Sequence, residues 1–133
     1  MSITLRSGVD LVENSRIEKA IERHGILFLT RIFTQDEIKA CDGRIPSLAG
    51  RYAVKEAVSK AFGTGIGDMQ WVEIEVVQDG RGAPHLVLHG SAAKMSEERG
   101  FSSWSISISH TEEHAIGMAV AIAPVASGEV TSD

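Results

Sequence analysis

The chain of 133 residues has one cysteine, Cys41, so no disulfide can form within it. That usage suits a reducing compartment, and a cytoplasmic location is expected. Long apolar runs are missing too. No stretch approaches the ~20 residues of a membrane-spanning helix, and the opening MSITLRSGVDLV lacks the apolar run of a secretory signal. Basic residues are outnumbered, 13 Lys and Arg against 18 Asp and Glu, for a net charge of −5. The balance argues against sequence-independent binding to nucleic acid or to an anionic membrane, but allows a local basic pocket for a small anion. There is no internal repeat and no low-complexity segment.

What is present reads as one domain over residues 1–123, followed by a small polar tail, 124–133, whose end from Ala126 is expected to fray. Residues 3–12 read as a strand in which Asp10, set between Val9 and Leu11, needs a reason; a turn cap or a pair with Arg6 is the ordinary one. Ser15 and Glu18 have capping-box spacing and predict a helix running to Gly25; Thr34 and Glu37 predict another through Cys41. Pro46 and Ser47 open a helix to about Phe62. Trp71–Gln78 alternates as a strand, the turn residues 79–84 follow, and His85–Leu88 returns as its partner. Ser91–Arg99 is helical, Ser103–Ser109 alternates strictly, and after the turn 110–114 residues 115–123 form a last strand. Turns this short join antiparallel strands. The expected fold is α+β, an antiparallel sheet with helices packed on one side.

The stretch RYAVKEAVSKAFGTG, residues 51–65, raises a functional question. At about 100° per residue, Ala53, Val54, Ala57, Val58 and Ala61 share a packing arc, and Arg51, Tyr52, Lys55, Glu56, Ser59 and Lys60 fall on the other. The second arc reads either as a solvated face with a Glu56–Lys60 pair or as a binding face. Gly63-Thr64-Gly65 is either a helix cap and turn or a loop whose free N–H groups cradle an anion. The second alternative sets a condition: the loop follows a helix C-terminus, where the macrodipole disfavours a phosphate, so cations must compensate. Lys60 is one. A metal would be another, with Glu56 and Asp10 as its ligands. Two carboxylates at about 4 Å repel by roughly 4 kcal/mol at an effective dielectric of 20, and so favour a divalent cation or a shared proton between them.

Gly8-Val-Asp10 with Arg16 downstream, Phe33-Thr-x-x-Glu37, the Arg51–Gly65 stretch, Gly82-x-Pro84 and Ile108-Ser-His110 follow one another in an order that resembles the holo-acyl-carrier-protein synthases, short-chain 4′-phosphopantetheinyl transferases. The resemblance spans about residues 5–122. It implies an α+β fold and Mg²⁺-dependent transfer of the 4′-phosphopantetheine arm of coenzyme A to a serine of apo-acyl carrier protein. Adenosine 3′,5′-bisphosphate would leave, in support of fatty acid biosynthesis. It further implies a homotrimer with active sites between subunits.

By the same resemblance, Asp10 and Glu56 are the metal carboxylates and Lys60 stands beside the diphosphate. Gly63, Thr64 and Gly65 contact coenzyme A, as do Arg51, Pro84, Ser109, His110 and Thr111, with His110 toward a phosphate. Arg16 meets the carrier protein. The serine proton goes either to Glu56 or to a water on the metal. One departure stands out: the first helix has Glu13, Glu18 and Glu22 beside Arg16, Lys19 and Arg23, a neutral balance that predicts weak steering of an acidic carrier unless Arg31 and Arg44 contribute. Cys41 is expected in the core, and His24, His85, His89 and His114 are expected to be structural or solvated. The competing readings are a non-catalytic module binding coenzyme A or a related nucleotide, which needs only the loop and Lys60, and a purely structural oligomerising domain.

Overall fold

The computed structural model describes residues 2–124; the tail from residue 125, and with it the expected fraying, lies outside the described residues. Strand β1 (Ile3–Glu13) runs straight into helix α1 (Asn14–His24), which α2 (Ile26–Ile32), α3 (Gln35–Cys41) and the long α4 (Ile45–Phe62) follow. A 3₁₀ turn, Trp71–Glu73, leads into β2 (Ile74–Gln78), then β3 (Pro84–Leu88), α5 (Gly90–Glu98), β4 (Ser103–His110) and β5 (His114–Pro124).

The strands form two antiparallel sheets rather than one: β1-β5-β4, and the hairpin β2-β3. First and last strands pair along their whole length, from Ile3 opposite Pro124 to Glu13 opposite His114. The fold class expected from sequence is therefore the one found, with the strands divided between two sheets.

The alternation in β5 explains how α4 docks. Ala115, Gly117, Ala119, Ala121 and Ala123 point to the helix side and are buried. These small residues, with Gly8 opposite Ala119, bring the α4 backbone close to the sheet. A Cβ on Gly8 would stand 1.9 Å from the Ala57 carbonyl oxygen, and one on Gly117 2.4 Å from the Val54 nitrogen. Because the obstruction is helix backbone, it cannot swing away. Gly8→Ala is accordingly expected to cost at least the upper end of the ~1–3 kcal/mol typical of overpacking, read as a lowered midpoint in urea unfolding.

The other face of this sheet is unusual for an isolated chain. Leu5, Val9 and Leu11 of β1 and Ile116 and Met118 of β5 project from it and are exposed, Leu11 by 65% and Leu5 by 59%. Ser103, Ser105, Ser107 and Ser109 continue the face along β4.

Two expected elements are corrected, and one helix is added. Helix α1 begins at Asn14 with Glu13 at the N-cap, and Ser15 forms no capping box. Instead the Asn14 amide donates to the carbonyls of Thr111 and Glu112 at 2.9 and 3.0 Å, anchoring the helix start to the β4–β5 turn. Trp71–Glu73 is a 3₁₀ turn and not strand, because the Glu73 carboxylate accepts from the N–H groups of Gln70 and Ser91 and from the Ser91 hydroxyl. Helix α2 was not expected at all. The Thr34–Glu37 capping box is present as read.

Candidate functional site

The polar arc of α4 is not one face but two rows, and they do different things. Arg51, Lys55 and Ser59, each four residues on, are buried, with Arg51 beside Cys41 of α3 and Lys55 bonded to α3 and β2. Lys55 is fully buried. Its ammonium donates to Glu37 Oε1 at 2.8 Å and to the carbonyls of Trp71 and Ile74, so all three donors are spent inside the protein. Burial pushes its pKa below the usual lysine range while the Glu37 carboxylate pulls it back up. The expectation of a solvated or ligand-facing Lys55 is thus replaced by a structural ion pair.

Tyr52, Glu56 and Lys60 form the second row, which faces β1 and α1. Lys60 donates to Asp10 Oδ1 at 3.1 Å and to the Val9 carbonyl at 2.9 Å. The expected Glu56–Lys60 pair along the helix is not made, nor is the Asp10–Arg6 alternative, since the strand presents Asp10 directly to Lys60. Glu56 instead accepts from the Tyr52 hydroxyl at 3.3 Å. Tyr52 is stacked on Trp71, with centroids 5.1 Å apart, and its other flank meets the Arg16 guanidinium 5.8 Å from its centroid. Burial raises its phenol pKa, and the Glu56 charge adds to the effect. It therefore stays a neutral donor that fixes the Glu56 carboxylate. Sequence reading gave Tyr52 no role, although its position four residues before Glu56 was the available signal.

Lys60 thus binds Asp10 directly, and Glu56, one helical turn before Lys60 on the same row, is held by Tyr52 beside them. Among the described residues no group of three or more His, Cys, Asp or Glu is placed to hold a metal. Two carboxylates suit Mg²⁺, which binds through one or two of them together with waters and substrate phosphates. Protein hydrogen bonds engage Oδ1 of Asp10 and Oε1 of Glu56, and among the described residues none is made by the second oxygen of either. The donor set fits that ion.

The loop after α4 is built for close approach. Gly63 caps the helix at φ +83°, its N–H bonded to the Ser59 and Lys60 carbonyls, and Gly65 sits at φ +68°. A Cβ at either position would meet nothing within 4 Å, so backbone conformation and not space calls for glycine there. The Thr64 hydroxyl donates to the Gly65 carbonyl at 3.1 Å.

The remaining predicted residues stand elsewhere in the chain. Arg51 is buried beside Cys41 on the other row, and its Nε has no hydrogen-bond partner. Ser109 and His110 end β4 on opposite faces of the sheet. Thr111 forms the turn, its N–H donating to the His114 carbonyl and its hydroxyl accepting from the His114 N–H. Pro84 opens β3 in the second sheet. Along α4, Arg51 and Gly63 are about 18 Å apart. One chain therefore places Glu56, Lys60 and the glycine loop along the second half of α4 with Asp10 beside Lys60, while Arg51 lies about three turns before the loop and the β4–β5 turn stands near the helix start. Cys41 is core, as expected, and burial raises its thiol pKa.

Helix α1 corrects the expected neutrality. Arg16, Lys19 and Arg23 share one face and line, with Leu11, Ala20 and His24, a groove of about 560 Å³ in which Glu13 is the one carboxylate. Glu18 belongs to an adjoining acidic hollow with Glu112 and Glu113, and Glu13 stands between the two. The charges cancel in the sequence but are sorted in space.

Known proteins resemble this chain over most of its length. Residues 6–119 match the family model of the 4′-phosphopantetheinyl transferase superfamily. The holo-acyl-carrier-protein synthase of Carboxydothermus hydrogenoformans is 44% identical over 117 residues, covering 86% of this chain and 94% of that protein. That of Thermoanaerobacter sp. (strain X514) is 41% identical over 118 residues, covering 86% and 85%. The crystal structure of the Helicobacter pylori holo-acyl-carrier-protein synthase in complex with coenzyme A matches with a TM-score of 0.80 at 34% identity, over 86% of this chain and 98% of that one. The chain belongs to the 4′-phosphopantetheinyl transferase superfamily, as an enzyme of the holo-acyl-carrier-protein synthase family.

Proposed function

We propose that this enzyme transfers the 4′-phosphopantetheine arm of coenzyme A to a serine hydroxyl of an apo-acyl carrier protein of fatty acid biosynthesis, in the cytoplasm, with Mg²⁺ held by Asp10 and Glu56. The observation that carries the reading is the Lys60–Asp10 contact, with Glu56 one turn before Lys60 on the same row and a glycine loop directly after the helix. The P–O bond between the arm's phosphate and the adenosine 3′,5′-bisphosphate breaks as the serine oxygen bonds to that phosphorus. Mg²⁺ would supply charge neutralisation at the diphosphate. Lys60 stabilises charge on the departing phosphate from its fixed place on Val9 and Asp10. Tyr52 holds one Glu56 oxygen and leaves the other without a protein hydrogen bond. Such a displacement depends on positioning and charge stabilisation more than on covalent help.

The basic groove of α1 suits an acidic carrier. Arg16 touches Tyr52, so a carrier docked there stands next to the carboxylates. A coenzyme A-binding module without catalysis would require the loop and Lys60 but not both carboxylates. Incubation with coenzyme A, Mg²⁺ and apo carrier protein should add the mass of the arm. No gain on any carrier tried, with coenzyme A bound normally, would defeat the proposal.

The assembly we propose is a homotrimer with sites between subunits. Two observations support it. The outward sheet face is apolar along β1 and β5, and exposed patches of this kind mark interfaces. The buried Arg51, with an unsatisfied Nε, and the β4–β5 turn lie too far along α4 to serve the same chain's loop. A neighbouring copy could present Pro84, Ser109, His110 and Thr111 to the coenzyme A held by Gly63, Thr64 and Gly65, whereas Arg51, 3% exposed, is enclosed by its own subunit. Leu5→Glu, remote from Asp10, is expected to give a monomer in sedimentation and to abolish transfer. A Leu5→Glu monomer with normal activity would contradict shared sites.

A further inference from the structure

The end of α4 is held by a residue that the family resemblance does not assign. Arg99, which follows α5, donates through Nη1 to the carbonyl of Phe62, the last residue of α4. Its guanidinium carbon lies 5.8 Å from the centroid of the Phe62 ring. We propose that Arg99 is a positioning residue for the Gly63–Thr64–Gly65 loop, fixing the terminal turn of α4 and offsetting the negative helix end on which the coenzyme A diphosphate is seated. The second half of this rests on the function proposed above.

The final carbonyls of a helix lack partners within it and concentrate the negative end of the macrodipole. In α4 the Gly63 N–H takes the carbonyls of Ser59 and Lys60, and the Phe62 carbonyl, directly before the loop, falls to Arg99. Arg99 is itself anchored. Its N–H bonds to the Met95 carbonyl, and the next two N–H groups bond to Glu97 and Ser96, closing α5. Phe101 and Trp104 pack on Phe62 with centroids 5.6 and 5.2 Å away, which holds in place the ring that the guanidinium covers. Arg6 lines the same groove as Arg99, together with Glu98, and adds a second guanidinium to the region. Lys60 is paired with Asp10, so part of its charge is already offset and Arg99 adds positive charge at the helix end.

Full-length Arg99→Met, which keeps the bulk and loses the charge and donors, and Arg99→Lys, which keeps the charge, separate the possibilities. Amide hydrogen exchange in the ligand-free protein should be about tenfold faster at residues 63–67 in Arg99→Met, and nearly normal in Arg99→Lys, with β5 unchanged in both. Calorimetric titration with coenzyme A and Mg²⁺ should show Kd raised about tenfold in Arg99→Met and largely restored in Arg99→Lys. Unchanged exchange at 63–67, or acceleration spread evenly over the chain, overturns the positioning role. Faster loop exchange with an unaltered Kd overturns the charge-offset role. Should the wild type itself bind no coenzyme A, the proposed function fails while the exchange result still decides the anchoring.

Discussion

Replacing Glu56 by glutamine is expected to lower the transfer rate by about a thousandfold or more while the fold stays intact. The contrast follows from what the side chain touches. Glu56 is half-buried, and its one hydrogen bond within the chain comes from the Tyr52 hydroxyl. A glutamine carbonyl oxygen accepts that bond equally well, so no buried donor loses its partner and the thermal midpoint should shift by no more than a surface substitution does. What disappears is the negative charge. With it goes half of the pair that makes the site attractive to a divalent ion. Asp10→Asn is a less clean probe, because Asp10 also holds Lys60. The measurement is a mass-resolved transfer assay across a Mg²⁺ titration, beside a melting curve and a coenzyme A titration without metal. Coenzyme A binding through Lys60 and the loop should persist in the variant. A Glu56→Gln protein of full activity would remove Glu56 from the mechanism and favour a site that needs only the loop and the cation.

The reach of the sequence was longest where one residue's local chemistry is decisive. Thr34 and Glu37 form their capping box because both partners lie within one turn. Gly63 and Gly65 adopt positive φ, as their type foretold. Local rules failed where a distant contact outweighed them. Lys60 ignores Glu56, four residues away, for Asp10, fifty residues away, because the sheet places a carboxylate and a carbonyl together within its reach. Ser15 and Glu18 have the spacing of a cap, yet Asn14 starts the helix because the β4–β5 turn offers it two carbonyls. Helix α2 is seven residues between Gly25 and Phe33, too short for an apolar period to declare itself.

The division of α4 into two rows was the deepest gap. A helical projection separates apolar from polar residues but not a polar row facing solvent from one facing another helix. That distinction needs α3 and β2 in place over Arg51 and Lys55. Likewise the balance of charges along α1 hid a basic groove, since Arg16, Lys19 and Arg23 share a face that Glu18 and Glu22 do not.

The buried row leads to the largest expected effect on stability. Lys55→Met leaves the Glu37 carboxylate without its cation in a fully buried setting, and removes the donor from the carbonyls of Trp71 and Ile74. Breaking one side of a buried ion pair costs about 3–5 kcal/mol, which for a chain of this size lowers the melting temperature by roughly 10–20 °C. Glu37→Gln should cost less than Lys55→Met. A glutamine oxygen can still accept from Val76 or Thr34, whose N–H groups bond to the two oxygens of Glu37, although Lys55 loses its counter-charge. The double variant, Glu37→Gln with Lys55→Met, should be more stable than Lys55→Met alone, because the stranded charge is gone. The pair thus makes the fold dependent on both members without implying that it stabilises beyond an apolar equivalent. Since α3, α4 and β2 meet on this one ammonium, the same change should raise hydrogen exchange at Ile74 and Val76 before it does so in β5. If Lys55→Met melts like the wild type, or if the double variant is no better than the single, the ion pair does not hold these three elements together.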